Sequence, residues 1–456
     1  MSYNIPNDVA TDEVVFAEDI NNIKNSIDAL KGGIAGDAPS KTVEDLVTLN
    51  TLYSDHGNLS GLTDDDHTQY MPTIGGRTFS NKILYDTNKT FSDDKELVAK
   101  KYVDDTTSNV VKQLKNYILN GDMKVAQEWT SKATIATTDY IIDNFRFNKT
   151  TSGVVFTASQ ETDSSGTYNI KLDCTTADAS VDANDDVSIN FFVEGYEYAT
   201  LKGETCVLSF DIYATKTGTS CVSFRNNGLD RTYILEFTIN ASNTWETKTL
   251  EVAFDQTGGT ENYTNGSGLR CDFALLVGST RQNTANTWHT GSYVSTSNQI
   301  NHGDNTANEF KLRNVSLTIG NAANFDRDLI IKENFLETLQ KCQRYYEKSY
   351  NYNTTPGTAT QLGGQTFKIG VNSTTNGDAC RGLTIFKVIK RTTPNMTTYD
   401  FAGTLSQVSI NGSASNEAPA AGNITTLETD RGFESNFNTT TAGIKVGFHW
   451  EADSRF

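Results

Sequence analysis

A mainly β fold is expected from this sequence, with coiled-coil helices first, then a jelly-roll β-sandwich, a linking helix and a smaller C-terminal β-sandwich. Three observations predict it. The chain is rich in Thr, Asn, Ser, Asp and Gly but has six prolines, the mixture of strands joined by polar turns. Near its start an apolar stripe repeats at helical spacing, and its middle 200 or so residues alternate apolar and polar with period two.

The stripe lies in "FAEDINNIKNSIDAL", where Phe16, Ile20, Ile23, Ile27 and Leu30 follow at spacings of 4, 3, 4 and 3. This is the narrow seam of a coiled coil, and isoleucine at successive core positions favours three strands. The alternative is an amphipathic helix lying on its own domain. Residues 1–40 are thus read as an attachment helix or coiled coil. Residues 41–95 are read as a turn-rich connector, because "DHGNLSGLTDDDHTQY" (55–70) is dense in residues that form Asx-turns. His56 and His67 stand near the two ends of that stretch with Asp64, Asp65 and Asp66 between them, so a ligand set for a cation is conceivable there. A second seam, Val103, Thr107, Val110, Leu114 and Tyr117, falls within 96–119 and predicts a second trimerisation helix.

Residues 120–322 form the predicted sandwich. Leu208, Phe210 and Ile212 alternate in "CVLSFDIYA"; Tyr233, Leu235, Phe237 and Ile239 in "RTYILEFTI"; Leu250, Val252 and Phe254 in "KTLEVAF"; then Phe273, Leu275 and Val277. Residues 323–350 return to helical spacing at Leu336, Leu339, Cys342 and Tyr346, and 351–456 resume short β-like runs. Six widely spaced cysteines without a C-x-x-C pair are expected to be small buried thiols.

Charge narrows the function. Thirty-eight basic against fifty-six acidic residues give −18, which argues against nucleic acid and against an anionic membrane surface. No apolar run approaches the ~20 residues of a membrane span. The N-terminus "MSYNIPNDVATDEVVF" has neither a basic n-region nor an apolar h-region, so synthesis in a cytoplasm without signal-directed secretion is expected.

Several motifs, in order along most of the chain, resemble bacteriophage tail-fibre and receptor-binding proteins. "HGNLSGLTDDDHTQY" is similar to a connector that recurs in such fibres, and "GGRTFSNKILYDTNKTFSDDKELVAKKYVDD" to the segment that commonly follows it. "YILNGDMKVAQEW" with "YIIDNFRF" resembles the start of the fibre jelly-roll module, with Phe145 where Trp is usual. "FKLRNVSLTIGNAANF" into "CQRYYEKSY" resembles its close, and "GFHWEADSRF" a fibre C-terminus. The resemblance implies a structural and adsorption role in the virion, an elongated parallel homotrimer, attachment to the tail or another virion protein by the N-terminus, and recognition of a host cell-surface glycan or protein. Related sugar-binding jelly rolls often hold a structural calcium ion, which makes Asp122 in "NGD" at 120–122 a candidate metal ligand; no cofactor is expected.

Aromatic rings cover the apolar faces of sugars while polar groups pair their hydroxyls. Candidate contacts are Trp245, Trp288, His289 and Tyr293 in the sandwich and Tyr352 or Trp450 near the end. Trp129 and Trp450 follow alternating apolar positions, which favours core for both. No catalytic residues are expected: nucleophile elbows, zinc-protease helices, phosphate loops and the parallel coils of tailspike depolymerases have no counterpart here. Two other readings remain open: an adaptor, collar or head appendage docking virion proteins, and a polysaccharide depolymerase, which would need carboxylates about 5 or 6.5–9.5 Å apart.

Overall fold

The computed structural model describes residues 113–254, 258–368, 379–410, 416–418, 421–439 and 445–456, together with Asn22 and Asn25. The chain divides into units 1–97 and 98–456. In the first, Asn22 and Asn25 are helical and exposed, as polar neighbours of Ile23. The seam residues Phe16, Ile20, Ile23, Ile27, Leu30, Val103 and Val110, and His56 and His67, lie outside the described residues.

The larger unit is mainly β. Its first thirteen strands are β1 (Ser131–Lys132), β2 (Tyr140–Ile142), β3 (Phe145–Thr150), β4 (Val155–Thr162), β5 (Tyr168–Thr176), β6 (Asp186–Glu194), β7 (Thr205–Ala214), β8 (Gly218–Asn226), β9 (Arg231–Ile239), β10 (Glu246–Ala253), β11 (Ser267–Val277), β12 (Trp288–Thr290) and β13 (Glu309–Ile319). They form a six-stranded sheet ordered β1-β4-β5-β13-β7-β10 and a seven-stranded sheet ordered β12-β9-β8-β11-β6-β3-β2, antiparallel at every pairing among these strands. Turn chemistry joins them: between β4 and β5, Asp163 accepts the N–H groups of Ser165 and Thr167 at 2.9 and 3.0 Å, and Gly166 takes φ +82°.

The two sheets enclose one core. Phe210 of β7 meets Phe237 of β9 and Phe273 of β11 edge-on, with ring centroids 5.1 and 5.0 Å apart. Phe145 is fully buried, 5.7 Å from Phe191, so an apolar ring fills the place where the resemblance puts an indole. The alternation departs from expectation in β11, where the register against β6 shifts between Ala274 and Leu276. This irregularity puts Leu275 and Leu276 together in the main core and sends Val277 to a small cluster with Cys221, Ile234, Ala274 and Val294 on the opposite face.

That opposite face is itself covered. Residues 291–302 run across it as a strap: Thr232 Oγ1 donates to Gly291 O at 2.7 Å, Gln299 Oε1 accepts from Cys221 N–H at 2.7 Å, and His302 N–H donates to Leu275 O at 2.9 Å. Beneath the strap Asp272 is held by Arg225 and Arg270, whose Nη2 atoms lie 2.6 and 2.7 Å from its Oδ1.

The second trimerisation helix does not extend to residue 119. Leu114 makes a parallel bridge with Ile330 and Tyr117 N–H donates to Leu317 O at 2.9 Å, so these two seam positions are extended chain laid against the sandwich. The linking helix is likewise shorter than 323–350. Its α-helix covers Phe335–Cys342, opened by a capping box of Asn334 and Glu337, while Tyr346 already belongs to the next strand.

The C-terminal strands are β14 (Tyr346–Lys348), β15 (Gln365–Lys368), β16 (Ala379–Ile385), β17 (Asn395–Tyr399), β18 (Val408–Ile410), β19 (Asn416–Glu417), β20 (Ala421–Thr426), β21 (Gly432–Asn438) and β22 (Lys445–Asp453). Strand β22 is the hub, pairing with β14, β15, β17 and β18, and β16-β21-β20 form a second sheet. Phe433, Phe437, Val446, Phe448 and Trp450 fill the space between. Gly403 has φ +86°, and a Cβ there would stand 2.0 Å from Gly357 O. Gly403→Ala is therefore expected to cost about 1–3 kcal/mol, read as a lower urea midpoint at unchanged m-value.

All six cysteines are buried and free. Among the described residues no helix is long and apolar enough to cross a membrane.

Candidate functional site

The outer face of the six-stranded sheet carries the most distinctive surface chemistry. Strands β7 and β13 pair with Lys311 opposite Tyr213 and Arg313 opposite Asp211, so four polar or aromatic side chains point outward where Phe310, Leu312 and Ile212 point inward. Trp245, just before β10, leans on this row. Its ring centroid is 5.7 Å from that of Tyr213, and the Arg313 guanidinium lies 4.1 Å from the indole centroid. Lys311 stands 5.1 Å from the Tyr213 ring, and Tyr213 Oη donates to Asn243 Oδ1 at 3.3 Å. Both rings are half-buried.

Charge on this face is laid out as a ladder. Lys171 lies 2.9 Å from Glu309 and 3.5 Å from Glu161; Lys311 lies 3.1 Å from Glu161 and 3.2 Å from Glu309; Arg313 reaches Asp163 at 2.6 Å and Arg327 reaches Asp211 at 2.5 Å. Partial burial by itself would raise the Glu309 carboxyl, but the hydrogen bonds from Lys171 and Lys311 outweigh it and hold it below the usual carboxylate range. Asp211 is lowered in the same way, burial being outweighed by Asn314, Arg327 and Thr247. Glu309 and Asp211 are thus fixed as anions paired with cations. Asp173, opposite Glu309 on β5, is raised instead, by burial first and with Glu309 adding to it, although Lys171 lies 3.2 Å away.

Trp288, His289 and Tyr293 come together elsewhere, at the β12 edge of the seven-stranded sheet, with the histidine and tyrosine rings 5.9 Å apart. Trp288 Nε1 donates to Ala253 O at 2.9 Å, and its ring packs against Tyr233 and Phe254 at 5.3 and 6.3 Å. His289 Nε2 sits 2.8 Å from Thr284 O. Much of the polar capacity of this edge is spent on the protein's own loops.

Of the last two candidates, Trp450 belongs to the C-terminal core and Tyr352 to a joint between the two β regions. Trp450 is 6% exposed and lies against Phe386 and Phe433, so it is core and its assignment as a receptor contact is corrected. Tyr352 uses its hydroxyl to accept Ala126 N–H at 2.8 Å, with Phe335 edge-on at 5.2 Å, a structural tie. The segments "NGDMKVAQEW", "YIIDNFRF", "CQRYYEKSY" and "GFHWEADSRF" all meet here. Tyr140 Oη and Arg146 Nη1 donate to Phe456 O at 2.8 and 2.7 Å, Arg455 pairs with Glu128 at 2.6 Å, Arg344 pairs with Glu194 at 2.5 Å, and Phe456 stacks on Phe192 at 5.1 Å. Burial pushes the Asp143 carboxyl up to about 6 despite two hydrogen bonds from Gln127. Both of its oxygens serve that joint, which makes the perturbation structural.

Asp122 pairs with Lys124 at 2.6 Å. Among the described residues no three His, Cys, Asp or Glu gather at metal-binding distance.

No family model matches this sequence, and no similar curated protein was found. Among solved structures, one described as CBM4 is 14% identical, with a TM-score of 0.27 over 44% of this chain and 99% of the other. The enzymatically active domain of tailspike protein 4 from bacteriophage CBA120 is 14% identical, with a TM-score of 0.24 over 45% of this chain and 21% of the other. A family 11 carbohydrate-binding module from Clostridium thermocellum is 9% identical, with a TM-score of 0.23 over 42% and 96%. Values this low transfer neither a ligand nor an activity.

Sequence reading found Trp245 but missed Tyr213, Lys311 and Arg313. The signal for the last two was present: in "FKLRNV" they alternate with Phe310 and Leu312, and so share one outward face.

Proposed function

We propose that the chain is a non-enzymatic, trimeric virion fibre protein, attached by its N-terminal region to the phage tail and binding a host-surface glycan through its sandwich. The observation that carries the glycan reading is the row Trp245, Tyr213, Arg313 and Asn243. Two rings are held side by side on a rigid sheet face, beside guanidinium and amide groups suited to sugar hydroxyls. The fibre and trimer readings rest on the isoleucine seam and on the ordered motifs that resemble fibre proteins. Three weak copies of one site then act together through effective concentration.

Trp245→Ala is expected to weaken binding of host-surface oligosaccharide about tenfold per site, about 1.4 kcal/mol, with the thermal midpoint little changed because the ring is outside the core. Calorimetric titration of wild type and variant checks it. Equal affinities would remove this face from the receptor site, and release of reducing sugar by the wild-type chain would replace the binding reading with a depolymerase.

A further inference from the structure

The face that carries Trp245 and Tyr213 continues across two more strands. Lys311 of β13 stands opposite Tyr213 of β7 on one side and opposite Lys171 of β5 on the other. The aromatic pair and the two ammonium groups therefore form one row across the sheet, with successive strands about 4.8 Å apart. A glycan laid along this row meets the rings first and the charge ladder next.

The ladder sets four cations, Lys171, Lys311, Arg313 and Arg327, against five carboxylates, Glu161, Asp163, Asp173, Asp211 and Glu309. Each cation already lies within 3.5 Å of at least one of those carboxylates, and the balance is one negative charge in excess. A sugar bearing a carboxylate, sulfate or phosphate would have to displace a carboxylate from its cation and then sit among the others, and like charges set side by side oppose binding. The raised carboxyl of Asp173 agrees with this: burial is the first cause, and Glu309 adds to it against the pull of Lys171.

An uncharged hydroxyl meets no such opposition, because it both donates and accepts. Both kinds of partner stand side by side on this face. Lys311 brings three N–H donors to two carboxylate partners, and the Asp173 side chain is 40% exposed beside it with acceptor oxygens. Hydrogen bonds to ionised partners are the stronger kind, so paired charges serve a polyhydroxyl ring without needing a counter-ion from it.

We infer that the glycan site on this face takes uncharged sugar units and refuses units that carry a carboxylate, sulfate or phosphate. This rests on the reading of the face as a glycan site and adds the class of glycan.

The test presents the full-length chain with immobilised oligosaccharides of two kinds. One set holds uncharged hexose and N-acetylhexosamine oligomers; the other holds oligouronates and sialylated or phosphorylated oligomers of similar length. Wild type, Trp245→Ala and the double variant Glu161→Gln/Glu309→Gln are compared. The double variant keeps side-chain shape but removes both carboxylate partners of Lys311, turning one negative charge in excess into one positive. Wild type is expected to hold uncharged oligomers alone and Trp245→Ala to hold them about tenfold less tightly. The double variant is expected to gain about tenfold or more in affinity for anionic oligomers, a gain that fades with added salt. Wild-type binding of anionic oligomers at equal or higher affinity, weakened in Trp245→Ala, overturns the charge class and leaves the glycan site standing. So does a double variant that melts like wild type and gains nothing. A wild type that holds no oligosaccharide of either set, or holds them equally well as Trp245→Ala, overturns the site and this inference together.

Discussion

Asp272→Asn is expected to destabilise the sandwich by about 3–5 kcal/mol, the cost of leaving buried charge without its partner. Asp272 is wholly buried between Arg225, which is 2% exposed, and Arg270. Burial alone would raise its carboxyl, but the two guanidiniums outweigh that and hold it at about 2. Asn keeps the shape and the hydrogen-bonding oxygen but leaves two cations facing each other under the strap. The folded-state value lies below the ordinary 3.8, so the stability Asp272 contributes is present above about pH 4 and is lost as pH falls toward 2. Urea unfolding at pH 7 measures the loss. A midpoint shift worth under 1 kcal/mol would mean that water reaches the cluster. Replacing all three charged residues by apolar ones of similar volume should recover much of the loss, because the desolvation of the ions disappears with them.

His302 is expected to give the protein a steep acid sensitivity. Its ring is buried, edge-on to Phe310 at 5.1 Å, with Nε2 2.8 Å from Ser220 Oγ. Burial first, and the nearby Lys216 second, lower its pKa from 6.5 to about 3. The folded state keeps it neutral where the unfolded chain takes up a proton. Its contribution is therefore intact above pH 6.5 and fades as pH falls from 6.5 to 3. The loss is about 2 kcal/mol at pH 5 and about 4 kcal/mol near pH 3, at 1.36 kcal/mol per unit. His302→Gln is expected to be less stable at pH 7 yet to show a shallower slope between pH 6.5 and 5. Parallel slopes for the two proteins would show that another group carries the sensitivity.

Much of the sandwich was legible because alternation reports a single buried face. Leu208, Phe210 and Ile212 were read as core and are fully buried. Strand β6, "DVSINFFVE", was not legible in this way, since all nine residues are buried and its polar positions, Ser188 and Asn190 among them, face covered chain. What covers them, the strap and the joint, includes contacts such as Cys221–Gln299, 78 residues apart, and Tyr140–Phe456, 316 apart, that no local pattern announces. The same holds for the candidate site. Trp245 stands out in the sequence as a rare residue, but its neighbours Tyr213 and Arg313 are brought to it by strand register. Trp450 was equally conspicuous, yet its place in the strand at the centre of the C-terminal domain buries it. Leu114 and Tyr117 fitted a helical seam by spacing, and lost it to backbone hydrogen bonds with the sandwich.

The joint also sets a timetable for the chain's synthesis. Phe456 seals the outer end of the seven-stranded sheet by stacking on Phe192 and accepting from Tyr140 and Arg146, residues translated more than 260 positions earlier. At about 5–20 residues per second, the 316 residues between Tyr140 and Phe456 take roughly 15–60 s to be made. Once β13 has been made the sandwich has its full set of strands, but Phe192 has no ring against it from the segment that carries Phe456. Any chain that stops short of Phe456 therefore leaves this end of the sheet open, so the closing of the sandwich waits on residues outside it.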